Sequence, residues 1–535
     1  MRQILTLSDM HDNINRTPPS MVPVGIRAYR LLTGLILTLV FLILTAYTAR
    51  SDASTGDVPE HSGLAITGVS VFDGTGTPLK TVQTVVVRRR IIEAVAQDWT
   101  IDITGMQRID GSGQYLMPGL IDSHTHPFAR DDYYRLCLAN CVTTILDMAT
   151  IGSLIEDSHK RRAAFENGGA GPRVFFTGPN IDGTSPWGRP KQPIDMSRIA
   201  EVNITADMAE STVAQLKSMG VDYVKVRDWL TLEEYDVVMH AANKAGMAVI
   251  GHVAGAVPII HAVRSDQKSV VHDGGSLGGY LLAVSTREEP LRQEVLKAVE
   301  QAIKERDRTP VFGKADSAEY INRLLTSYDE EKAAALTRAL VENRTVLVPT
   351  LFIMHPALEA ADPEFDGRRL LDNPAIRYVP KAILNSWKKR EGVTTKGEED
   401  RLAKENRFRR LMELLGRFYR AGGQIHASTD ATWLFGTDTT WVIPGFSLHN
   451  ELMLLTELGM TAAETIAAAT SGPARFLGLR DVGTIAAGKA ADLVLLTANP
   501  LENIRNTRMI SAVVSNGQLF DRAALDEMLV KLVQR

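Results

Sequence analysis

Short apolar runs alternate with helix-period stretches through the middle of this chain. Eight of the runs read as strands, at 117–124, 142–148, 173–178, 221–226, 247–252, 268–273, 345–351 and 424–430. Strands that alternate with helical patterns imply βα units around a parallel sheet. Eight such units over residues 116–480 predict an α/β fold, a (β/α)8 TIM barrel with its active site at the C-terminal strand ends. Two helical insertions interrupt it, at 280–345 and 355–420, the charged span 362–420 reading either as a lid or as a solvated elaboration.

The two ends of the chain follow a different rhythm. Residues 63–115 ("LAITGVSVFDGTGTPLK…") and 481–521 ("VGTIAAGKAADLVLL…ISAVVSNGQLF") alternate apolar and polar positions between Gly/Thr turns, the pattern of half-exposed strands. They predict one small β-sandwich domain assembled from both ends, with a C-terminal helix over 522–535. Ahead of them lies "LLTGLILTLVFLILTAYTA", Leu31 to Ala49, apolar and uncharged over a length that can cross a bilayer. Arg2, Arg16, Arg27 and Arg30 precede it, while Asp52, Asp57 and Glu60 follow. The positive-inside rule then makes 1–30 a cytoplasmic segment, 50–62 a linker, and the remaining body exported, periplasmic or anchored outside the cytoplasm. Whether 31–49 is a cleaved signal peptide or a retained transmembrane anchor is open on sequence grounds, and membrane contact depends on it.

Composition adds exclusions. A chain of 535 residues, 44% hydrophobic and 23% charged, exceeds one compact domain. A formal net charge of −4 provides no basic field for nucleic acid. Cys137 and Cys141 are four apart, a spacing that stacks them on one helix face in poor geometry for a disulfide, so they read as small buried residues.

The chemistry sits where the strand patterns end. "LIDSHTHPF" closes the first strand with His124 and His126, two residues apart and so on one face, able to reach one ion at the barrel mouth. Lys225 closes the fourth strand, His252 the fifth, His272 the sixth and Asp430 the eighth. Burying all of these unpaired would cost several kcal/mol each, so their shared position points to a metal site.

In order along the chain, "LMPGLIDSHTH", "YVKV", "LTLEEYDVVMHAANKAGMAVIGH", "SVVHDG", "VLVPTL", "STDA", "HNELMLLTELGMTAAETIAAATSGPARFLGL" and "VGTIAAGKAADLVLL" resemble the amidohydrolase superfamily. The likeness covers about residues 64–520 and leans to its prolidase-like and imidazolonepropionase-like branch. The resemblance implies two divalent ions, usually zinc: His124, His126 and Asp430 on the more buried one, His252 and His272 on the other, and carboxylated Lys225 bridging both. It further implies a metal-bridging hydroxide, Asp430 as the catalytic proton carrier, and hydrolysis of an amide or peptide C–N bond in a dipeptide or N-acyl amino acid. Cyclic amides, lactones and phosphotriesters stay open as substrates, as does a non-catalytic binding barrel.

Four residues are candidates for holding a small-molecule substrate. Arg227 lies two beyond Lys225 on the same face, where it could grip a carboxylate or pair with Asp228, Glu233 or Glu234. Trp187 stands in "TGPNIDGTSPWGRP", where relatives often carry a Gly- and His-rich loop, and suits an apolar group. His355 follows the seventh strand and His449 begins the helix after the eighth. The sequence leaves assembly with further copies of the chain open.

Overall fold

The computed structural model describes residues 63–533 apart from 98–100, 187, 197–198, 276–278, 307–314, 316, 356–373, 389–396 and 434–440. The apolar segment 31–49 and Trp187 therefore lie outside the described residues. Among the described residues no helix is long and apolar enough to cross a membrane.

The strands from the two chain ends form one sheet. β1 (Leu64–Val71), β2 (Lys80–Arg88), β3 (Ile91–Gln97), β4 (Gln107–Asp110) and β5 (Tyr115–Pro118) come from the first segment. β16 (Leu493–Leu496), β17 (Ile510–Ser515) and β18 (Gln518–Asp521) come from the last. The order is β18-β17-β16-β5-β1-β2-β3, with β4 also on β1. The strands of the expected sandwich are thus joined in one continuous hydrogen-bonded sheet. Register shifts in β1 between Ile66 and Val69, and again between Val69 and Val71, explain how. Bulges bend a strand and increase its twist, which lets the sheet wrap around Ile66, Val69, Val85, Ile92, Leu116, Leu493 and Val514.

Between these ends run parallel strands joined by helices. They are β6 (Leu120–His126), β7 (Val142–Asp147), β8 (Arg173–Phe176), β9 (Asn180–Asp182), β10 (Glu201–Asn203), β11 (Val224–Val226), β12 (Val249–Gly251), β13 (Ser269–Val271), β14 (Val346–Val348) and β15 (Ala431–Thr432). Hydrogen bonds divide them into two parallel sheets, β15-β6-β7-β8 and β10-β9-β11-β12-β13-β14. Single parallel bridges link the two, Thr177 to Tyr223 and Leu347 to Ile425. The result is a TIM-barrel-like α/β arrangement. Its inner side chains, Ile121, Leu146, Phe175, Tyr223, Ile250, Val271 and Val346, pack with one another, separately from the larger core between strands and helices.

Local sequence explains the regularity. The helix Leu232–Ala245, for example, starts at a capping box of Thr231 and Glu234 and stops at Gly246, whose φ of 68° few other residues tolerate. The span 424–430 departs from expectation: it is no continuous strand, and pairing survives only at Ile425 and in β15. Helices fill the described parts of both insertions, the longest being Glu398–Arg420. The final helix, Arg522–Val533, buries Leu525, Leu529 and Leu532. Cys137 and Cys141 are both free and buried.

Candidate metal centre

Alternation along β6 puts Asp122, His124 and His126 on one face, and each meets the segment around Asp430. Asp122 is buried; its carboxylate accepts the Thr429 hydroxyl at 2.6 Å and the Thr429 N–H at 3.0 Å. The Asp430 N–H donates to the His124 carbonyl at 2.8 Å. These bonds staple an irregular segment to a strand, so Asp430 is positioned although its own φ is 53°. His272 and Thr350 share that left-handed backbone, at φ 57° and 47°. Such non-glycine conformations cost on the order of 1–3 kcal/mol each and collect at functional sites.

The side chains converge. Asp430 Oδ1 lies 3.2 Å from His124 Nε2 and 3.0 Å from His126 Nε2. Lys225, 2% exposed, has its Nζ 3.3 Å from His124 Nε2. The ring of His272 stands 5.0 Å from that of His124 and 4.9 Å from that of His252. Two partners orient the last two rings from behind: Asp228 Oδ1 at 2.7 Å from His252 Nδ1, and Thr350 Oγ1 at 2.7 Å from His272 Nδ1. A carboxylate or hydroxyl on one ring nitrogen fixes the tautomer and leaves the other nitrogen as a ligand.

Electrostatics match the geometry. Burial, helped by the Lys225 charge, holds His124 well below the usual histidine range, and burial pushes His272 down to about 3. Both rings are therefore neutral, the form that binds a metal. Burial, followed by the Arg227 charge beside it, lowers the Lys225 amine to about 7. Burial alone would raise Asp430, yet His124, His126 and His272 outweigh it and keep this carboxylate well below its ordinary value. Ligand atoms of His124, His272 and Asp430 all lie within 4.8 Å of one another. A buried set of neutral imidazoles around an ionised carboxylate fits a divalent ion of the zinc type.

The substrate candidates are placed as follows. Arg227 is half-buried, its Nη2 3.5 Å from Asp228 Oδ2, in the field of Asp228, Glu201 and Asp182. A guanidinium engaged by internal acids is poorly placed to clamp a carboxylate as well. His355 stacks edge-on against Phe408 of the long insertion helix, ring centroids 4.9 Å apart. His449 is buried with Nδ1 2.9 Å from the Thr507 hydroxyl and Nε2 3.9 Å from Cys141 Sγ, inside the core. Its helix, Phe446–Glu457, is buried on nearly every side, so a helix-start histidine does not face solvent here. Sequence reasoning missed Asp122, Thr350 and the role of Asp228. Asp122 carried a usable signal, two residues ahead of His124 on the same strand face.

Comparison with known proteins agrees with this picture. The sequence model of the Amidohydrolase family matches residues 393–520. No curated protein sequence matches the chain. Among solved structures, a Xaa-Pro dipeptidase with bound methionine in the active site superposes with a TM-score of 0.57 at 19% identity, covering 86% of this chain and all of that one. The bottromycin amidohydrolase gives a TM-score of 0.60 at 18% identity, over 89% of this chain and 91% of that one. The ochratoxinase of A. niger gives 0.55 at 18%, over 86% and 96%. At such identities the likeness is one of fold. Fold and site together present a candidate ligand set for a metal ion on a TIM-barrel-like α/β body. Over residues 393–520 the chain is similar to the Amidohydrolase family, and over the remainder its likeness to these structures is one of fold.

Proposed function

We propose that this protein hydrolyses an amide or peptide C–N bond of a small molecule at a metal centre held by His124, His126, Lys225, His252, His272 and Asp430. The observation that carries the reading is the convergence of His124 Nε2, His126 Nε2 and Lys225 on the buried Asp430 region, with contacts of 3.0–3.3 Å. The match of residues 393–520 to the Amidohydrolase family and the fold shared with neighbours such as the dipeptidase and the ochratoxinase support a hydrolase for carbon–nitrogen bonds.

His124, His126 and Asp430 would hold one divalent ion and His252 and His272 a second, zinc suiting both sets. When bound, such ions lower the pKa of a shared water from about 15.7 toward 7 and polarise a carbonyl. Everything else falls to the chain. Lys225, its amine lowered by burial to about 7 and so largely available as the free base near neutral pH, can attack carbon dioxide; the new N–C bond leaves a carbamate anion, a proton departs to water, and the carbamate oxygens would serve as metal ligands. Asp430 accepts a proton from the attacking water at its carboxylate and returns it to the departing amine. Asp228 and Thr350 keep the His252 and His272 rings aimed inward. The barrel body works outside the cytoplasm in this proposal, a reading supported by the charges flanking 31–49.

The test is a substrate panel of dipeptides, N-acyl amino acids, lactones and phosphotriesters with zinc-loaded protein. Turnover of the amides above the other classes is expected. Exclusive turnover of lactones or phosphotriesters would overturn the bond class while leaving the metal site intact.

A further inference from the structure

Two buried acceptor atoms at the mouth lack hydrogen-bond partners among the described residues: Asn180 Oδ1 and Asp182 Oδ2. Their residues are 2% and 0% exposed. In the parallel pairing of β9 with β11, Ile181 stands opposite Val226. Side chains alternate along a strand and paired residues of parallel strands share a face, so Asn180 and Asp182 lie on the face that carries Lys225 and Arg227. Asp182 is thus one side-chain step nearer the mouth than Lys225, about 6–7 Å along the strand.

The unpartnered oxygens belong to a fixed frame. Asp182 Oδ1 accepts the Gly183 N–H at 2.9 Å and the Trp229 N–H at 2.6 Å, which locks its carboxylate between two loops. Glu201 stands opposite Asn180 in the β9–β10 register. Burial, with Glu201 and Asp228 as like charges and Arg227 opposing, pushes the Asp182 carboxyl well above its ordinary value, which a nearby cation would relieve. Three carboxylates therefore surround one guanidinium, and the atoms left over are two acceptors, Asn180 Oδ1 and Asp182 Oδ2, and one donor, Arg227 Nε, so acidic groups outnumber the single cation. A buried acceptor without a donor is unfavourable, and a group with several N–H donors and a positive charge satisfies this recess best.

We propose that Asn180, Asp182 and Glu201 form a subsite for a primary ammonium group of the substrate, beside the bond to be cleaved. The inference rests on the amide-hydrolase reading and narrows it to substrates carrying a free amine. The α-ammonium of a dipeptide is two bonds from the scissile carbonyl carbon and reaches the recess from a substrate lying over Lys225.

The experiment compares kcat/KM of zinc-loaded protein for Ala-Leu, N-acetyl-Ala-Leu and N-acetyl-Lys-Leu, in wild type, Asp182→Asn and Asn180→Ser. Asp182→Asn keeps the oxygen that accepts from Gly183 and Trp229 and turns the unpartnered acceptor Oδ2 into an amide donor. Wild type is expected to favour Ala-Leu over its acetylated form by about tenfold or more, and Asp182→Asn to collapse that ratio toward one. Asn180→Ser shifts the ratio the same way by less, and it serves if Asp182→Asn fails to fold. Preference for N-acetyl-Lys-Leu alone, lost in the variants, upholds the subsite and assigns the ammonium to the side chain. A wild-type ratio near one, or equal losses on all three substrates in the variants, overturns the proposal while the hydrolase reading stands. If none of the three is cleaved, calorimetry with leucinamide and N-acetyl-leucinamide decides: tighter binding of the free amine, lost in Asp182→Asn, upholds the subsite against the hydrolase reading. Equal binding refutes it.

Discussion

The two corners of the metal centre are built by different means. His252 and His272 are gripped from behind, each through Nδ1, by Asp228 and Thr350 at 2.7 Å. His124 and His126 have Nδ1 atoms without partners among the described residues, and they meet through Nε2 at Asp430. One corner is preset by groups outside the ligand set. The other is organised by its own ligands, with Asp122 and Thr429 pinning the backbone that carries them. Removing Asp430 should therefore disable a corner outright, whereas the outer partners should act by degrees.

Asp430→Asn strikes hardest. It removes the negative charge that His124 and His126 share and the proton carrier together, so kcat should fall by about 10²- to 10⁴-fold with the fold retained by circular dichroism. A rate within threefold of wild type would take the proton role from Asp430. Asp228→Asn comes next: losing the carboxylate behind His252 should weaken metal affinity by about 10–100-fold, read by competition with a chelator. Thr350→Val removes only a neutral hydroxyl and should cost less than about tenfold in the same assay. If Thr350→Val proved the more damaging of the two, the contrast between charged and neutral support behind the rings would be wrong.

The smallest effect concerns Glu451. It is buried and accepts the Leu351 and Phe352 N–H groups at 3.0 and 2.8 Å, bracing the turn just beyond Thr350. Burial pushes this carboxyl up to about 8 from an ordinary 4.5. The folded chain then holds a proton that the unfolded chain releases, so this group's contribution to stability is present below pH 4.5 and is lost as pH rises toward 8. Glu451→Gln should flatten the fall in denaturant midpoint across that window. An unchanged slope would mean the carboxyl is ionised in the folded state.

What was legible in the sequence follows from the same contrast. The alternation of strand and helix patterns, and the five candidate ligand positions in or just after strands (His124, His126, Lys225, His252 and His272), depend on local spacing, and local spacing is visible in one dimension. Asp228 orients His252 across 24 residues of sequence, so an acid next to Arg227 looks like an ordinary surface partner. Thr350 reaches His272 across 78 residues, through a backbone conformation that a threonine rarely adopts. The segment "QIHASTD" looks like a strand because its apolar positions alternate, yet Asp430 needs a left-handed turn to face the histidines. His449 shows the reverse error: a polar residue at a helix start suggested the mouth, but the helix it starts is enclosed by the core. The bulges of β1, which join the strands of the two chain ends into one bent sheet, leave no signature in its alternation.

The central claim is that Lys225 helps hold metal. Metal content by mass spectrometry, on wild type and on Lys225→Ala, tests it most directly. The account predicts two equivalents of zinc or a similar ion in wild type and a sharp fall in the variant. One equivalent, unchanged by the substitution, would contradict a bridging lysine and leave a single-metal barrel in its place.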